Sequence, residues 1–233
     1  MANLQSFEYS DSVKKSELIS KRSLEDQAAD LLREAIINGE LPPGMRLVEM
    51  TLAKEYGLSR GTIRIVLHQL GAEGLVTQVP YAGWSVVEMN DQDLWELYTL
   101  RATLEGLAAR LAAEKITEEG VSELQSAYQE LLELCEGDDL HAITRGDLAL
   151  HKTIIALSNH KRLAQQYRMV ENQFLSYIAA ANRTFDPHLV GRSHEALVAA
   201  ICAGEGKRAE KEAIKNITGF EELQGMKAKP LLA

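Results

Sequence analysis

Residues 47–73 read LVEMTLAKEYGLSRGTIRIVLHQLGAE, and the fold turns on them. Two short helical patterns meet at Gly57-Leu58-Ser59. Gly57 suits the left-handed residue that ends a helix, and Ser59 suits the N-cap of the next one. In the second helix Ile63, Val66, Leu67 and Leu70 fall at i, i+3, i+4 and i+7, one apolar stripe. Arg60, Arg64 and His68 fall four apart on another face, with Ser59, Gly61 and Thr62 near the helix start. No Asp or Glu lies between Glu55 and Glu73, in a chain of net charge -9. A helix buried on one side, with cations and small polar groups at its start, suits the DNA major groove. A helix-turn-helix docks its second helix that way, N-terminal residues toward base edges. The competing reading is a helical hairpin with a solvated basic face.

Length and composition bound the rest. A chain of 233 residues, 45% of them hydrophobic, has room for two domains with ordinary cores. Cys135 and Cys202 give neither a disulfide framework nor metal-type Cys spacing, so a reducing cytoplasm is the expected location. The first residues are too polar for a signal peptide, and no apolar run is long enough to span a membrane. A pI near 5.3 argues against coating nucleic acid by charge alone, but not against a local basic face.

Residues 1–22 are polar and unpatterned, and read as a flexible arm whose Lys14, Lys15, Lys21 and Arg22 could touch phosphate. Ser23 with Asp26 resembles a capping box, opening a helix that buries Ala28, Leu31, Leu32, Ala35 and Ile36 and ends at Gly39. After Gly74 the period becomes that of a strand. Residues 75–79 and 84–87 flank Pro80-Tyr81-Ala82-Gly83, a hairpin signature. Three helices and a hairpin over residues 23–89 make a winged helix. Tyr81, Ala82 and Gly83 at the hairpin tip would approach the minor groove or the backbone, Gly83 letting the main chain come close. A plain turn glycine is the alternative at that position.

Residues 90–223 read as an all-α bundle, and 224–233 as a tail. Asn90 with Asp93 starts its first helix, whose Leu97, Leu100, Leu104, Leu107 and Leu111 form a seam for packing within the bundle or between two copies. Further helices run from Thr117 to Cys135, from Asp139 to Leu157, from Lys161 to Asn182, from Pro187 to Cys202 and from Lys207 to Leu223. Polar residues interrupt their apolar seams. Asp147 and His151 lie four apart beside Leu150 and Ile154; His194 shares a face with Val190, Leu197 and Val198; Asn216 shares one with Ala213, Ile217 and Phe220. Buried polar groups need partners. An Asp and two imidazoles converging in a bundle would suit a divalent metal, and the alternative is satisfied core histidines.

The stretch LPPGMRLVEMTLAKEYGLSRGTIRIVLHQLGAEGLV, residues 41–76, resembles the winged-helix domain of the GntR family of bacterial transcription regulators, over residues 24 to 88. The remainder resembles the FCD domain of the FadR-like subfamily, whose first helix carries Arg-x-x-Leu-Glu, here Arg101 to Glu105. That resemblance implies a metal set of Asp147, His151 and His194, with Asn216 where the family has a final His. It also implies a small organic acid as effector, for which Arg101 is a candidate partner, an ion pair with Glu105 being the alternative. Ile65 stands where relatives usually have Glu, and Ala82 where they often have Arg.

The expected protein is a homodimeric, cytoplasmic repressor that is not an enzyme. Its operator is double-stranded DNA, contacted by Ser59, Arg60, Gly61, Thr62, Arg64 and Gly83. Arg101 would serve the effector, and Asp147, His151, His194 and Asn216 a divalent metal, with Zn, Ni and Mn all chemically acceptable. A metal-dependent enzyme built on the Asp and His cluster, and an architectural DNA-binding protein without effector, are the competing functions.

Overall fold

The computed structural model describes residues 22–81, 83–181 and 186–223, and side-chain surroundings for all of these except 178–181 and 220–223. Most of the arm, Ala82, Asn182 and the tail 224–233 lie outside the described residues, and so does the side chain of Phe220. The order is α1 Leu24–Ile37, β1 Arg46–Leu47, α2 Glu49–Tyr56, α3 Arg60–Ala72, β2 Val76–Val79 and β3 Gly83–Val86. Then follow α4 Asp91–Glu114, α5 Glu118–Leu134, α6 Leu140–Leu157, α7 Lys161–Ala181, α8 Pro187–Ser193, α9 Glu195–Cys202 and α10 Gly206–Leu223.

The turn between α2 and α3 is set by local chemistry. Gly57 takes φ 66°, where L side chains are strained, and Ser59 Oγ accepts from the Thr62 amide. The stripe Ile63, Val66, Leu67 and Leu70 is fully buried against Ala29, Leu32 and Ile36 of α1, Leu52 of α2, and Trp84 and Val86 of β3. Leu31, expected in that core, is 58% exposed. It projects from the side of α1 opposite Ala29 and Ile36, which α3 already fills. The hairpin pairs Val76 with Val86 and Val79 with Gly83. A third strand, β1, pairs Arg46 with Ser85 and Leu47 with Trp84, giving the order β1-β3-β2. Two residues are too short to show a period, so the sequence carried no sign of it.

In the helical part α4 is central. Asn90 and Asp93 complete a reciprocal capping box at its start. Its most buried face is not the leucine seam: Leu100 is 50% exposed, while Ala108, Ala109 and Ala112 are fully buried. Small residues let α10 approach closely through Ala209 and Ala213, and at Gly106 a Cβ would come within 3.0 Å of Ile214. The expected fifth helix is broken in two at His194. The Val190 carbonyl, which an unbroken helix would offer to the His194 amide, is taken by the Ser193 hydroxyl at 2.8 Å and by His194 Nδ1 at 2.8 Å. The His194 amide turns to the Gly191 carbonyl instead, and α9 starts afresh.

The two parts meet at the end of α3. Glu73 accepts Nε and Nη2 of Arg33 on α1, each at 2.7 Å, and Nδ2 of Asn172 on α7 at 3.3 Å. Gln173 donates to the Glu73 carbonyl. At Gly74, φ +74°, a Cβ would lie 1.9 Å from the Gln173 amide nitrogen. The Glu73 carboxylate is thus a staple between α1, α3 and α7. Glu73→Ala should lower unfolding free energy by about 1–3 kcal/mol, the range for losing charged hydrogen bonds at a partly buried site. Urea denaturation at neutral pH is the measurement.

Candidate functional site

Five charged or titratable side chains from α4, α6 and the α8–α9 break meet in the helical part. Arg101 Nε donates to Glu105 Oε1 at 2.6 Å, both side chains 3% exposed. The guanidinium lies 4.1 Å from the ring centre of Phe174 on α7. The other Glu105 oxygen faces His151 Nδ1. That contact places the His151 proton on Nδ1 and leaves Nε2 as an acceptor. His194 Nδ1 faces the Val190 carbonyl at 2.8 Å, which accepts only, so His194 also carries its proton on Nδ1 when neutral.

The two Nε2 atoms are 3.1 Å apart. Asp147 Oδ1 lies 3.1 Å from His194 Nε2 and 3.8 Å from His151 Nε2. Three acceptors with lone pairs directed at one point repel unless positive charge sits among them. A proton on His194 Nε2 serves, and so does a metal cation. A triangle with these sides has a circumradius of about 2.0 Å, so one point lies at first-row metal–ligand distance from all three atoms. Glu105 and the Val190 carbonyl orient the imidazoles from behind, as outer partners of metal-bound histidines do. The donor set therefore fits a divalent ion.

The electrostatics agree with the geometry. Burial alone would raise the Asp147 carboxyl, but His151, His194 and Arg101 overcome it and hold it well below the usual carboxylate range. Burial likewise opposes ionisation of Glu105, and Arg101 with His151 brings it down to about 2. Burial would lower His194; the Asp147 carboxylate outweighs that and raises it.

Above this cluster opens a cavity of ≈ 530 Å³, lined by Arg101, Phe174, Arg192, Lys215 and Asn216 among others. Asn216 reaches the cavity wall but gives Nδ2 to Ser193 Oγ at 3.0 Å, and Ser193 in turn donates to the Val190 carbonyl. Arg101, expected to be available to an effector, commits its Nε to Glu105, because a bare guanidinium at that depth needs a counter-charge. The partner role of Glu105 toward His151 was missed: residues 46 positions apart on different helices leave no spacing signal.

On α3 the expected DNA-facing residues lie together. Arg60, Gly61 and Arg64 are exposed. Ser59 and Thr62 bond to each other at 3.0 Å as part of the cap. Glu49 of α2, not anticipated, grips Arg64 with both oxygens at 3.0 and 2.8 Å and lies 3.7 Å from Arg60. Gly83, φ +91°, has open space at its Cβ position, and its neighbour Trp84 packs edge-on against His68 of α3 at 4.9 Å. Tyr81 at the hairpin tip, φ 62°, is fully exposed.

The His194–Asp147 pair sets a pH dependence. A raised His194 contributes stability that is complete below the unfolded histidine value near 6.5 and disappears as pH rises through the folded value. Asp147, depressed, contributes above the unfolded carboxylate value near 3.9 and loses this only at lower pH. In chelator-treated protein, His194→Gln should therefore cost more stability at pH 5.5 than at pH 8.5, as read by urea denaturation at each pH.

Comparison with known proteins places these features. The family model described as "Bacterial regulatory proteins, gntR family" matches residues 24–86, and the FCD domain model matches residues 96–218. The chain is similar to the "Probable D-xylose utilization operon transcriptional repressor" of Paenarthrobacter nicotinovorans, 24% identical over 88% of this chain and 90% of that one. It is 29% identical to the transcriptional repressor GlaR of Escherichia coli over 77% of this chain and 86% of GlaR. The solved structure of E. coli McbR/YncC superposes with a TM-score of 0.73 at 24% identity, covering 88% of this chain and 98% of that one. These relatives are regulators rather than enzymes. The winged helix, the helical FCD domain and the relatives agree: the chain belongs to the GntR family of transcription regulators.

Proposed function

We propose that this regulator is a repressor whose grip on its operator is set by a small organic acid bound in the FCD cavity through a divalent ion. The observation that carries the reading is the set of three acceptor atoms, Asp147 Oδ1 and the Nε2 atoms of His151 and His194, on the floor of a ≈ 530 Å³ cavity. Asp147, His151 and His194 would hold the ion, and Zn, Ni and Mn all suit this donor set. A bound ion supplies a Lewis-acidic position that a carboxylate can occupy. Arg192 and Lys215 line the same cavity and favour an anion. With Nδ2 committed to Ser193, the Asn216 amide has its carbonyl oxygen left for the ion or the effector.

The route to DNA runs through α7. Phe174 covers the Arg101 guanidinium at the cavity, and Asn172 and Gln173, two residues and one residue before it, hold Glu73 at the end of α3. A ligand that repositions Phe174 acts on the same helix that fixes the DNA-binding part. On α3, Arg60 and Arg64 would read bases, with Ser59, Gly61 and Thr62 at the groove edge and Gly83 in the wing close to the backbone. A homodimer would match a palindromic operator, and the half-exposed Leu100 on α4 is an apolar group available to it. No helix among the described residues is long and apolar enough to cross a membrane, in keeping with a cytoplasmic regulator.

Metal content, its pH dependence and operator affinity test this. Protein prepared without chelator or metal-affinity tag should hold up to one divalent ion per chain by elemental analysis, and His194→Ala should lose it. Glu105→Gln should weaken the ion about 10- to 100-fold in chelator competition, while Asn216→His should tighten it. Metal-free protein that rebinds no ion yet still releases operator on addition of an acid would remove the ion from the mechanism. Affinity for the ion should fall as pH drops through the raised His194 range, because protons compete for Nε2. On the DNA side, Arg64→Ala should weaken operator binding roughly 5- to 150-fold at fixed salt; unchanged binding would take Arg64 off the recognition surface.

A further inference from the structure

The outward face of α3 carries a residue that neither folding nor charge explains. With Ile63, Val66, Leu67 and Leu70 pointing into the core, a repeat of 3.6 residues per turn puts Gly61 and Ile65 at the middle of the opposite face. Arg60 and Arg64 run along one edge of it, and His68 lies beside Gly61 on the side away from Ile65. Ile65 is 57% exposed. Isoleucine is a mediocre helix former, and here it buries little, so neither propensity nor packing accounts for it. Its neighbours are tied elsewhere: Arg64 to Glu49 and His68 to Trp84. One turn back, about 6 Å along the axis, Gly61 has no side chain, and the space around its Cβ position is open apart from its own cap residue Ser59.

We propose that Ile65 reads base sequence by packing against a thymine C5-methyl group in the major groove of the operator. The surface has an apolar centre, a cationic edge and a gap at Gly61 that lets the helix axis approach. The major groove offers the complement: phosphate walls on either side and, among the base edges, the thymine methyl as the apolar group. The inference rests on DNA binding by the winged helix and is independent of the metal and effector.

The test uses the 233-residue chain and a duplex selected by it from a random pool. Each thymine of one half-site is replaced in turn by deoxyuridine, which lacks only the C5-methyl. At one position wild-type affinity should fall about fourfold, the loss expected for exposing one methyl-sized apolar group. Ile65→Ala should bind the thymine and deoxyuridine duplexes within twofold of each other at that position. Cytosine placed there should gain affinity for wild type when 5-methylated, and not for Ile65→Ala. Because Ile65 is exposed, the substitution leaves the core intact, and an unchanged melting temperature checks this. If no thymine shows a methyl effect, or if the effect survives in Ile65→Ala, the proposal fails. A selected operator without thymine in the half-site overturns it equally, and leaves Ile65 to a protein partner.

Discussion

Two imidazole nitrogens cannot face each other at 3.1 Å with both lone pairs bare, and the helical domain is arranged around that constraint. Glu105 and the Val190 carbonyl fix the imidazole protons on the far side, so the near side must receive charge from outside the ring pair. Arg101 offsets Glu105, and Phe174 covers Arg101. Each partner needs the next, from the cavity floor back into the α4 core. Removing one member leaves an unpaired buried charge, which is why such a chain is costly to break and specific in its geometry. The break between α8 and α9 belongs to the same arrangement: the carbonyl freed at Val190 is the one that holds His194.

The sequence was most legible where a residue's own chemistry dictates its backbone. Gly57 with positive φ, Ser59 as a cap, the Asn90–Asp93 box and Asp139 ahead of α6 act within four residues, and spacing shows them. The buried stripe of α3 followed from its period. Asp147, His151 and His194 could be singled out because each is polar on an apolar seam, and the structure brings them together. Asn216 comes to the same cavity but bonds to Ser193.

What stayed hidden is long-range or runs against a simple pattern. The leucine repeat of α4 promised a buried seam, yet the tight contact with α10 uses its alanines and leaves Leu100 half exposed. Periodicity registers large apolar residues and overlooks close packing of small ones. Glu105 behind His151, Glu49 beside Arg64 and Glu73 between Arg33 and Asn172 are carboxylates with partners on other elements. One sequence gives no means of pairing them, and the acid-free window around α3 was acid-free only along the chain.

The grip of Glu49 on Arg64, with Arg60 close by, bears on how the protein searches a genome. Random DNA offers phosphate attraction and little else. An arginine already satisfied by a carboxylate gains little by exchanging it for a phosphate, and the chain as a whole carries -9. Only a site that also supplies matching base edges repays the exchange. On the proposed reading, in which Arg60 and Arg64 contact operator bases, Glu49 would widen the ratio between operator and bulk chromosomal binding by weakening the second more than the first. Fewer copies would then be idle on the wrong sequence, and a modest number of molecules per cell would keep one promoter occupied.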